Sequence, residues 1–427
     1  MKNLRRIAMA VGIAIVATLA LVILVLNLSS SEKKIKHQIE PLYAVGDPQF
    51  LRSMGSLLGP AVRAGNRVGT LLNGDQIFPA MLEAIRGAKK TIAFETYIYW
   101  SGTVGQQFAD ALSERARAGV KVHVLLDWVG SGKAKKEYLD EMRDAGVEVE
   151  KYHPLRWYNL SRINNRTHRK LLVVDGRVGF TGGVGIADKW SGNAQDPEHW
   201  RDSHFQLEGP AVAQMQAAFM DNWMKTQSKV LHGEEYFPEL EPAGSSYAQV
   251  FKSSPREGSE SVRLMYLLSI ASARQRLLIA NSYFVPDDLA IEAFVAARKR
   301  GVDVEIIVPG TKIDSELTRK ASRSRWGDLL GAGIEIYEYR PTMYHCKVMV
   351  VDDLWVSVGS TNFDNRSFRL NDEANLNVFD ADFARRQSEV FENDKARSHR
   401  VTLEEWKHRP LWEKVVERLA GLLRSQL

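Results

Sequence analysis

Two segments of the sequence share the pattern His-x-Lys-x4-Asp. It occupies residues 168–175 in the first half of the chain and residues 345–352 in the second half. The residues that define the pattern are His168, Lys170, Asp175, His345, Lys347 and Asp352. An imidazole can attack phosphorus or transfer a proton, and an ammonium group binds phosphate oxygens. Each segment is therefore a candidate phosphate site.

An apolar run follows each lysine, which indicates a β-strand. On a strand, residues two apart share a face, so His168 and Lys170 point one way and Arg169 points the other way. The same alternation separates Cys346 from the histidine and the lysine on either side of it. We therefore expect neither Arg169 nor Cys346 to take part in the chemistry.

Each pattern continues through six residues to a pair of small residues, at 182–183 and 359–360. Small residues let the backbone approach an anion closely. Asn362 follows the second pair, whereas Gly185 stands at the equivalent place after the first. One such motif alone would be weak evidence, but two copies with identical spacing favour a functional site.

The elements around the two motifs repeat in the same order. In the first half we predict a strand at 88–94, a helix at 108–118, and strands at 119–126 and 145–149. In the second half we predict a strand at 276–281, a helix at 289–300, and strands at 301–308 and 332–336. Strands that alternate with helices predict an α/β fold, with a mixed or mostly parallel sheet covered on both faces. Two such units suggest two similar domains packed as a pseudo-twofold pair.

The predicted domain boundaries follow from composition. Pro, Gly and Ser cluster at 241–246, which separates a first domain at 46–240 from a second at 247–400. Residues 401–427 form a C-terminal helical segment, and its amphipathic part carries Leu411, Val415, Leu419 and Leu422 on one face. We expect this face to pack on the body of the protein; the alternative is a surface helix that lies on lipid.

Residues 7–28 form an uncharged apolar run that would span ~33 Å as a helix, about the thickness of a bilayer's hydrocarbon core. A signal peptide is the alternative, but its apolar region is usually only ~7–15 residues long and ends in a small-x-small cleavage site. The longer run here, with no Ala-x-Ala after it, favours a retained transmembrane anchor. Basic residues lie on both sides of the run, so the side of the membrane that holds the body is not assigned.

The overall composition narrows the class of protein. The 427 residues suffice for two domains. A formal net charge of +5 suits anionic partners, without choosing between phospholipid and nucleic acid. Cys346 is the one cysteine, which excludes an internal disulfide and a cysteine-rich metal site.

The two motifs resemble the signature of the phospholipase D superfamily, His-x-Lys-x4-Asp-x6-Gly-Gly/Ser-x-Asn, which occurs twice in its members. The resemblance covers nearly the whole soluble body. The segments that are similar to bacterial cardiolipin synthases are residues 199–202, 207–212, 283–287 and 371–373. Gly185 departs from the family's usual Asn, so donation to phosphate from that side chain is lost or supplied by another group.

This resemblance implies that both motifs meet at one site between the two domains. One histidine forms a covalent phosphohistidine, while the other protonates the leaving alcohol and then deprotonates the incoming one. By analogy His168 is the nucleophile and His345 the acid/base, although the near-symmetric motifs leave that order open. Lys170 and Lys347 would neutralise the non-bridging oxygens, and Asn362 would add a neutral donor.

Carboxylates commonly hold the second ring nitrogen of a catalytic histidine. The resemblance nominates Asp202 to orient His168 and Glu373 to orient His345. No metal and no other cofactor is expected, since two lysines and a protonated histidine supply positive charge.

Asp175 and Asp352 end their strands and count as part of the catalytic motif. Within it, we expect them to tie down backbone or basic neighbours rather than to react. Because one chain carries both motifs, the site does not require an oligomer.

Three functions compete. The first is a cardiolipin synthase, which moves a phosphatidyl group from one phosphatidylglycerol to another and releases glycerol. The second is a hydrolase of phospholipid or nucleic acid, and the third is a non-catalytic lipid-binding scaffold. The anchor and the flanking segments favour the synthase, and the intact His and Lys pairs disfavour a scaffold. Nucleic acid is a poor candidate, because the modest charge does not indicate a continuous basic groove. We expect a cell-membrane protein that acts on phosphatidylglycerol and other anionic phospholipids.

Overall fold

The protein is described by a computed structural model that covers residues 2–28, 35–154, 164–255, 260–424 and 426. Residues 425 and 427 of the predicted C-terminal segment lie outside this description. The helices of the described part are α1 (Lys2–Leu28), α2 (Pro48–Leu58), α3 (Asn73–Gly87), α4 (Thr103–Arg117), α5 (Lys136–Asp144), α6 (Val212–Gln227), α7 (Ser261–Ser272), α8 (Asp288–Lys299), α9 (Glu316–Arg323), α10 (Trp326–Gly331), α11 (Asn365–Arg369), α12 (Ala381–Lys395), α13 (Leu403–His408) and α14 (Leu411–Leu422).

The strands of the described part belong to one continuous sheet. They are β1 (Arg63–Leu72), β2 (Thr91–Thr96), β3 (Lys121–Asp127), β4 (Glu148–Tyr152), β5 (Arg166–Thr167), β6 (Leu171–Val174), β7 (Val178–Gly182), β8 (Ser203–Glu208), β9 (Ser246–Ser253), β10 (Arg276–Asn281), β11 (Asp303–Pro309), β12 (Glu335–Tyr339), β13 (Lys347–Val351), β14 (Trp355–Gly359), β15 (Asn371–Phe379) and β16 (Ser398–Val401).

The strand order shows the internal repeat. From the central antiparallel pair β1–β9, one side runs β8-β7-β6-β2-β3-β4 and the other runs β15-β14-β13-β10-β11-β12-β16. The strands β2-β3-β4 and β10-β11-β12 are parallel, whereas the strands nearer the centre and the edge strand β16 are antiparallel to their neighbours. The mixed α/β fold with two similar halves agrees with the sequence prediction. We call the side with β1–β8 the first half and the side with β9–β16 the second half.

Apolar cores cover both faces of the sheet. One core is continuous across the two halves and includes residues of α6 and α12. On the other face each half has its own core, with α3, α4 and α5 in the first half and α7 and α8 in the second. Because both faces are covered, β2 is buried along its whole length.

The predicted repeat elements are present with small shifts at their ends. The glycine that follows each repeated helix is left-handed, as at Gly119 (φ +88°) and Gly301 (φ +92°). A residue with a Cβ adopts this conformation only with strain, so glycine ends the helix and turns the chain into the next strand.

The chain before the first half belongs spatially to the second half. Phe50 of α2 packs edge-to-face on Trp355, with ring centroids 4.9 Å apart. The predicted boundary at residue 46 therefore precedes a helix that packs on the second half. The chain crosses to the first half only at β1.

Both terminal helices expose apolar surface. In α1, residues Arg5–Val25 have a mean hydropathy of 2.9 and no part of this stretch is buried, which makes it a candidate membrane span. In α14 our expectation that the leucine face packs on the body is wrong. The exposed fractions are 79%, 58%, 59% and 73% for Leu411, Val415, Leu419 and Leu422. The helix instead packs through its other face, because buried Glu417 forms ion pairs with the body.

Candidate active site

The two motif histidines lie directly before β6 and β13, at equivalent places in the two halves. The backbone N–H of His168 donates to the carbonyl oxygen of Asp372 at 2.9 Å, and that of His345 donates to Arg201 at 2.7 Å. Each motif is therefore hydrogen-bonded to the backbone of the other half, so the sheet brings both motifs to one site.

A buried carboxylate holds the Nδ1 atom of each imidazole. His168 Nδ1 lies 3.0 Å from both carboxylate oxygens of Glu373, and His345 Nδ1 lies 2.8 Å from Oδ2 of Asp202. Both carboxylates are fully buried. The prediction that Asp202 pairs with His168 and Glu373 with His345 is therefore wrong, because each histidine is paired with the carboxylate of the other half.

Strand pairing explains this exchange. Thr167, next to His168, pairs with Asp372, next to Glu373. In the same way Arg201, next to Asp202, pairs with the residue before His345. The segment before each histidine therefore lies beside the segment before the carboxylate of the other half. This places Glu373 next to His168 and Asp202 next to His345.

The electrostatics favour a neutral nucleophile. Burial lowers the pKa of His168 to about 4, with help from the charges of Lys170 and Lys347, although Glu373 opposes the shift. Burial and Lys347 also lower the pKa of His345. A carboxylate that accepts from Nδ1–H leaves the lone pair on Nε2, the atom that can attack phosphorus or accept a proton.

The two carboxylates remain charged despite their burial. Desolvation raises the pKa of Glu373, but the electrostatic interaction and hydrogen bond with His168 and the charge of Lys170 outweigh it and lower that pKa. His345 and Lys347 do the same for Asp202. Each acid can therefore hold its imidazole in one tautomer and stabilise it when it becomes protonated.

The two lysines are buried but differently held. Lys170 Nζ donates to the carbonyl oxygen of His168 at 2.8 Å, whereas Lys347 Nζ donates to Ser282 Oγ and to the carbonyl oxygen of His345, both at 2.7 Å. Burial and the charge of Lys347 lower the pKa of Lys170 to about 7. Burial also lowers the pKa of Lys347. A bound phosphate anion would favour the charged form of both lysines.

The small residues after the motifs make room for the carboxylates. A Cβ atom at Gly183 would lie 2.2 Å from Oδ1 of Asp202, so no side chain fits there. At the equivalent position, the hydroxyl of Ser360 donates to Oε2 of Glu373 at 2.5 Å. The small residues that follow each motif therefore lie against the carboxylates that orient the histidines, Asp202 and Glu373.

Asn362 and Gly185 are unequal for a steric reason. Asn362 accepts from Ser282 Oγ at 2.7 Å through its side-chain oxygen, which leaves its amide NH₂ as a donor. A Cβ atom at Gly185 would lie 2.8 Å from Cβ of Ile98 and 3.2 Å from the ring of Trp190. The first half therefore fills with apolar atoms the space that the second half uses for a donor.

Aromatic side chains pack against the imidazoles. The rings of Tyr97 and His168 meet edge-to-face at 5.3 Å, and Trp190 and Trp200 lie 5.4 and 5.6 Å from His345. Trp190 also donates from Nε1 to Oδ2 of Asp202 at 2.9 Å. Sequence reasoning did not find Trp190 or Ser282, because neither stands at a fixed spacing from a motif.

Asp175 and Asp352 hold backbone rather than reacting groups. The carboxylate of Asp175 accepts from three successive backbone N–H groups before and at the start of β2, and that of Asp352 does the same at β10. This agrees with the expectation that they tie down backbone within the catalytic motif: they join the end of each motif strand to the neighbouring strand. Both have a left-handed backbone with φ +52°.

The residues between each His and Lys face away from the site. Arg169 is buried and donates to the carbonyl oxygen of Glu373 and to the carboxylate of Asp221. Burial raises the pKa of the Cys346 thiol to about 12. In the ranges covered by the structure, no group of three or more His, Cys, Asp or Glu side chains could hold a metal ion.

Comparison with known proteins gives consistent relatives. A family profile described as "Cardiolipin synthase, PLD-like domain" matches residues 81–223 and 266–395. Cardiolipin synthase 2 of Bacillus anthracis is 36% identical over 357 residues, which are 83% of this chain and 69% of the relative. The major cardiolipin synthase ClsA of Bacillus subtilis strain 168 is 36% identical over 406 residues, 92% of this chain and 84% of the relative.

A solved structure supports the fold. Phosphatidylserine synthase from Haemophilus influenzae Rd KW20 superposes with a TM-score of 0.68 at 15% identity, over 89% of this chain and all of that one. The two segments that the family profile matches include both histidines, both lysines and both orienting carboxylates. The chain therefore belongs to the cardiolipin synthase family of phospholipase D-like proteins.

Proposed function

We propose that this protein is a cardiolipin synthase, which transfers a phosphatidyl group from one phosphatidylglycerol to the glycerol hydroxyl of a second and releases glycerol. The observation that carries this proposal is the pair of buried imidazoles, each held at Nδ1 by a carboxylate and each beside a lysine. Two equivalent imidazoles suit a two-step displacement at phosphorus, in which one is the nucleophile and the other transfers protons.

In the first step, Nε2 of His168 attacks the phosphorus of the donor lipid. A P–N bond forms, the P–O bond to glycerol breaks, and His345 gives a proton to the departing oxygen. Asp202 and the anionic donor lipid favour the protonated form of His345 that this step needs, against the effect of Lys347. Glu373 stabilises the positive charge that develops on the His168 ring.

In the second step, a glycerol hydroxyl of the acceptor lipid attacks the phosphohistidine. His345 now accepts the hydroxyl proton, a new P–O bond forms, and the P–N bond to His168 breaks. Lys170, Lys347 and the amide of Asn362 stabilise the charge on the non-bridging oxygens in both steps. The same site would act as a hydrolase if water replaced the lipid acceptor.

We further propose that the reaction needs no metal ion and that α1 anchors the chain in a membrane. Two ammonium groups and a protonated imidazole supply the charge that a metal would otherwise supply. The domain limits 46–240 and 247–400 remain part of this proposal, as does a site complete within one chain.

The direct test is a lipid product assay with the purified full chain in detergent. We expect phosphatidylglycerol to be converted to cardiolipin and glycerol in equal amounts, in the presence of EDTA as well as in its absence. The matched control is the His168→Ala/His345→Ala double variant. Phosphatidic acid without cardiolipin would contradict the synthase and support the hydrolase, and loss of activity in EDTA would contradict the metal-free mechanism.

A further inference from the structure

The C-terminal helix α14 presents an unpartnered apolar face. The exposed side chains of Leu411, Val415, Leu419 and Leu422 fall within roughly 80° of the helix circumference at 3.6 residues per turn. Trp412 is also exposed and extends this face. We call these five side chains the leucine face. A contiguous apolar surface of this kind marks a site that contacts a protein or a membrane.

The opposite side of α14 holds the helix on the body. Buried Glu417 accepts from Nε of Arg323 at 2.9 Å and from Nε of Arg409 at 2.6 Å. Ala420 belongs to a small apolar cluster with Val285. Because turning the leucine face inward would break these buried ion pairs, the helix is fixed with that face outward.

Cationic side chains border the leucine face. Lys414 and Arg418 lie along one side of it, and Lys407 is exposed in the preceding helix α13. The acidic residues of α14, Glu413 and Glu417, lie on the side toward the body. An amphipathic helix with apolar side chains, a tryptophan and flanking cations is typical of a helix that lies on an anionic membrane surface.

The chain leaving α1 enters the body near this surface. The backbone N–H of Ile35 donates to Glu260 at 3.1 Å, and its carbonyl oxygen accepts from Arg263 at 2.9 Å. Seven Cα–Cα steps separate Ile35 from Leu28 at the end of α1, so the two residues lie at most ~25 Å apart. A membrane spanned by α1 would therefore lie close to Glu260.

One short helix connects the entry point to α14. Arg369, at the end of α11, donates to Glu260 at 2.8 Å. Arg366, one turn earlier, donates to the carbonyl oxygen of Gln426 at 3.3 Å, and Asn365 donates to that of Arg424 at 3.1 Å. The segment that follows α1 is therefore linked to α11 through Glu260, and the segment that follows α14 contacts α11 directly.

The same helix borders the active site. α11 begins three residues after Asn362, and Asp364 caps its first turn by accepting from Ser367 N–H at 2.7 Å. The backbone N–H of Val285, whose side chain packs near Ala420, donates to the carbonyl oxygen of Phe363 at 2.9 Å. The helix that carries the leucine face is thus connected to the segment that contains Asn362, whose amide can donate a hydrogen bond to phosphate.

We propose that the leucine face of α14 docks on an anionic lipid bilayer, on the same side of the molecule as the exit from α1. The leucine face enters the acyl region while Lys407, Lys414 and Arg418 contact anionic head groups. Docking turns α11 and the adjoining active site toward the bilayer from which lipid is drawn. This inference goes beyond the proposed reaction, because it concerns how the body is oriented and not what it transfers.

The test uses the full chain reconstituted at one copy per lipid nanodisc, with an environment-sensitive fluorophore on a single introduced cysteine. Cys346 is buried and its thiol pKa is raised to about 12, so it does not compete for the label. The test position is Leu419→Cys. The control is Tyr247→Cys, an exposed position at the opposite end of β9 from Ser253, which pairs with Glu373.

In phosphatidylglycerol discs we expect the label at position 419 to shift to shorter wavelength with a severalfold rise in intensity, while the label at position 247 stays in water. In phosphatidylcholine discs we expect a smaller change. Equal signals from positions 419 and 247 in phosphatidylglycerol would overturn the proposal. A response only in discs that hold two copies would also overturn it, since a second copy would then cover the face.

A second variant tests whether the cationic side chains beside the leucine face contribute to docking. Lys414→Gln/Arg418→Gln keeps the leucine face and should weaken docking on anionic discs about fivefold for each charge removed, as salt does. Arg385→Gln/Arg386→Gln, two exposed changes on α12, is the matched control. These measurements need no turnover, so an inactive transferase would give the same answer. Unchanged docking by the α14 variant would overturn the role assigned to charge.

Discussion

The two halves of the molecule carry the same motif in different surroundings. In the second half, Lys347 is held by Ser282, and Asn362 offers an amide to the site. In the first half, the Lys170 ammonium donates to the carbonyl oxygen of its own His168, a contact that Lys347 also makes with His345, and apolar atoms occupy the space beside Gly185. The second half therefore has more hydrogen-bond donors in place for a phosphate than the first half, whereas both halves hold an imidazole whose pKa burial lowers.

This difference suggests that the copies have divided the work. A nucleophile must be neutral, and burial lowers the pKa of His168 to about 4. Donors that fix the phosphate must be in place before attack, and the second half supplies more of them. The orienting carboxylates are exchanged, however, so the histidine of each half depends on a carboxylate from the other half.

The largest effect should come from the two histidines. We expect His168→Ala and His345→Ala each to lower turnover of phosphatidylglycerol by at least ~10⁴-fold, because each removes an obligatory partner. Substantial residual activity in both variants would falsify the two-histidine mechanism.

An activated donor separates the two roles. In a phosphatidyl ester of p-nitrophenol, the nitrophenolate leaves without needing a proton. His345→Ala should therefore still release a burst of nitrophenolate and form the phosphohistidine, whereas His168→Ala should give no burst. The reverse result would exchange the assigned roles of nucleophile and acid/base.

The exchanged carboxylates should give the next largest effect. We expect Glu373→Gln and Asp202→Asn each to lower turnover by ~10²–10⁴-fold, because the amide no longer holds the imidazole in its reactive tautomer. With the activated donor, Glu373→Gln should slow the burst, as its partner is His168, and Asp202→Asn should leave the burst nearly unchanged. The opposite pattern would support pairing within each half.

The smallest effect concerns the two lysines and pH. Burial lowers the pKa of Lys170 to about 7 and that of His168 to about 4. Raising the pH through 7 removes the Lys170 proton, and lowering it through 4 protonates the nucleophile, so kcat/KM should fall about tenfold per pH unit outside these limits.

Replacing Lys170 by Arg, which stays charged, should move the alkaline limit upward. Lys347→Arg should leave that limit in place, because the charge of Asp202 and the hydrogen bond to Ser282 stabilise the charged form of Lys347. If the alkaline limit does not move in Lys170→Arg, its titration belongs to His345 rather than to the lysine.

Much of this architecture follows from local sequence signals. The repeated strands, the glycines after their helices and the duplicated His-x-Lys spacing all depend on short-range patterns, and the structure places them as expected. The burial of Arg169 and Cys346 away from the chemistry also follows from strand alternation. Such features are accessible because neighbours in sequence determine them.

Features that depend on pairing between distant segments were not accessible. Asp202 follows the first motif and Glu373 the second, so proximity in sequence favours pairing within each half. The exchange is revealed by the strand contacts between β5 and β15 and between Arg201 and Tyr344. The orientation of α14 also depends on the ion pair between Glu417 and the distant Arg323. The space beside Gly185 likewise depends on Ile98 and Trp190, which no spacing rule connects to it.

The hydrogen bonds across the centre also limit how the enzyme can move. A hinge that swung the two halves apart would break the His168–Asp372 and His345–Arg201 backbone bonds and would pull each carboxylate off its imidazole. Opening by domain rotation would therefore dismantle the reactive groups with every turnover. A longer linker between the halves should therefore leave the rate of substrate exchange unchanged.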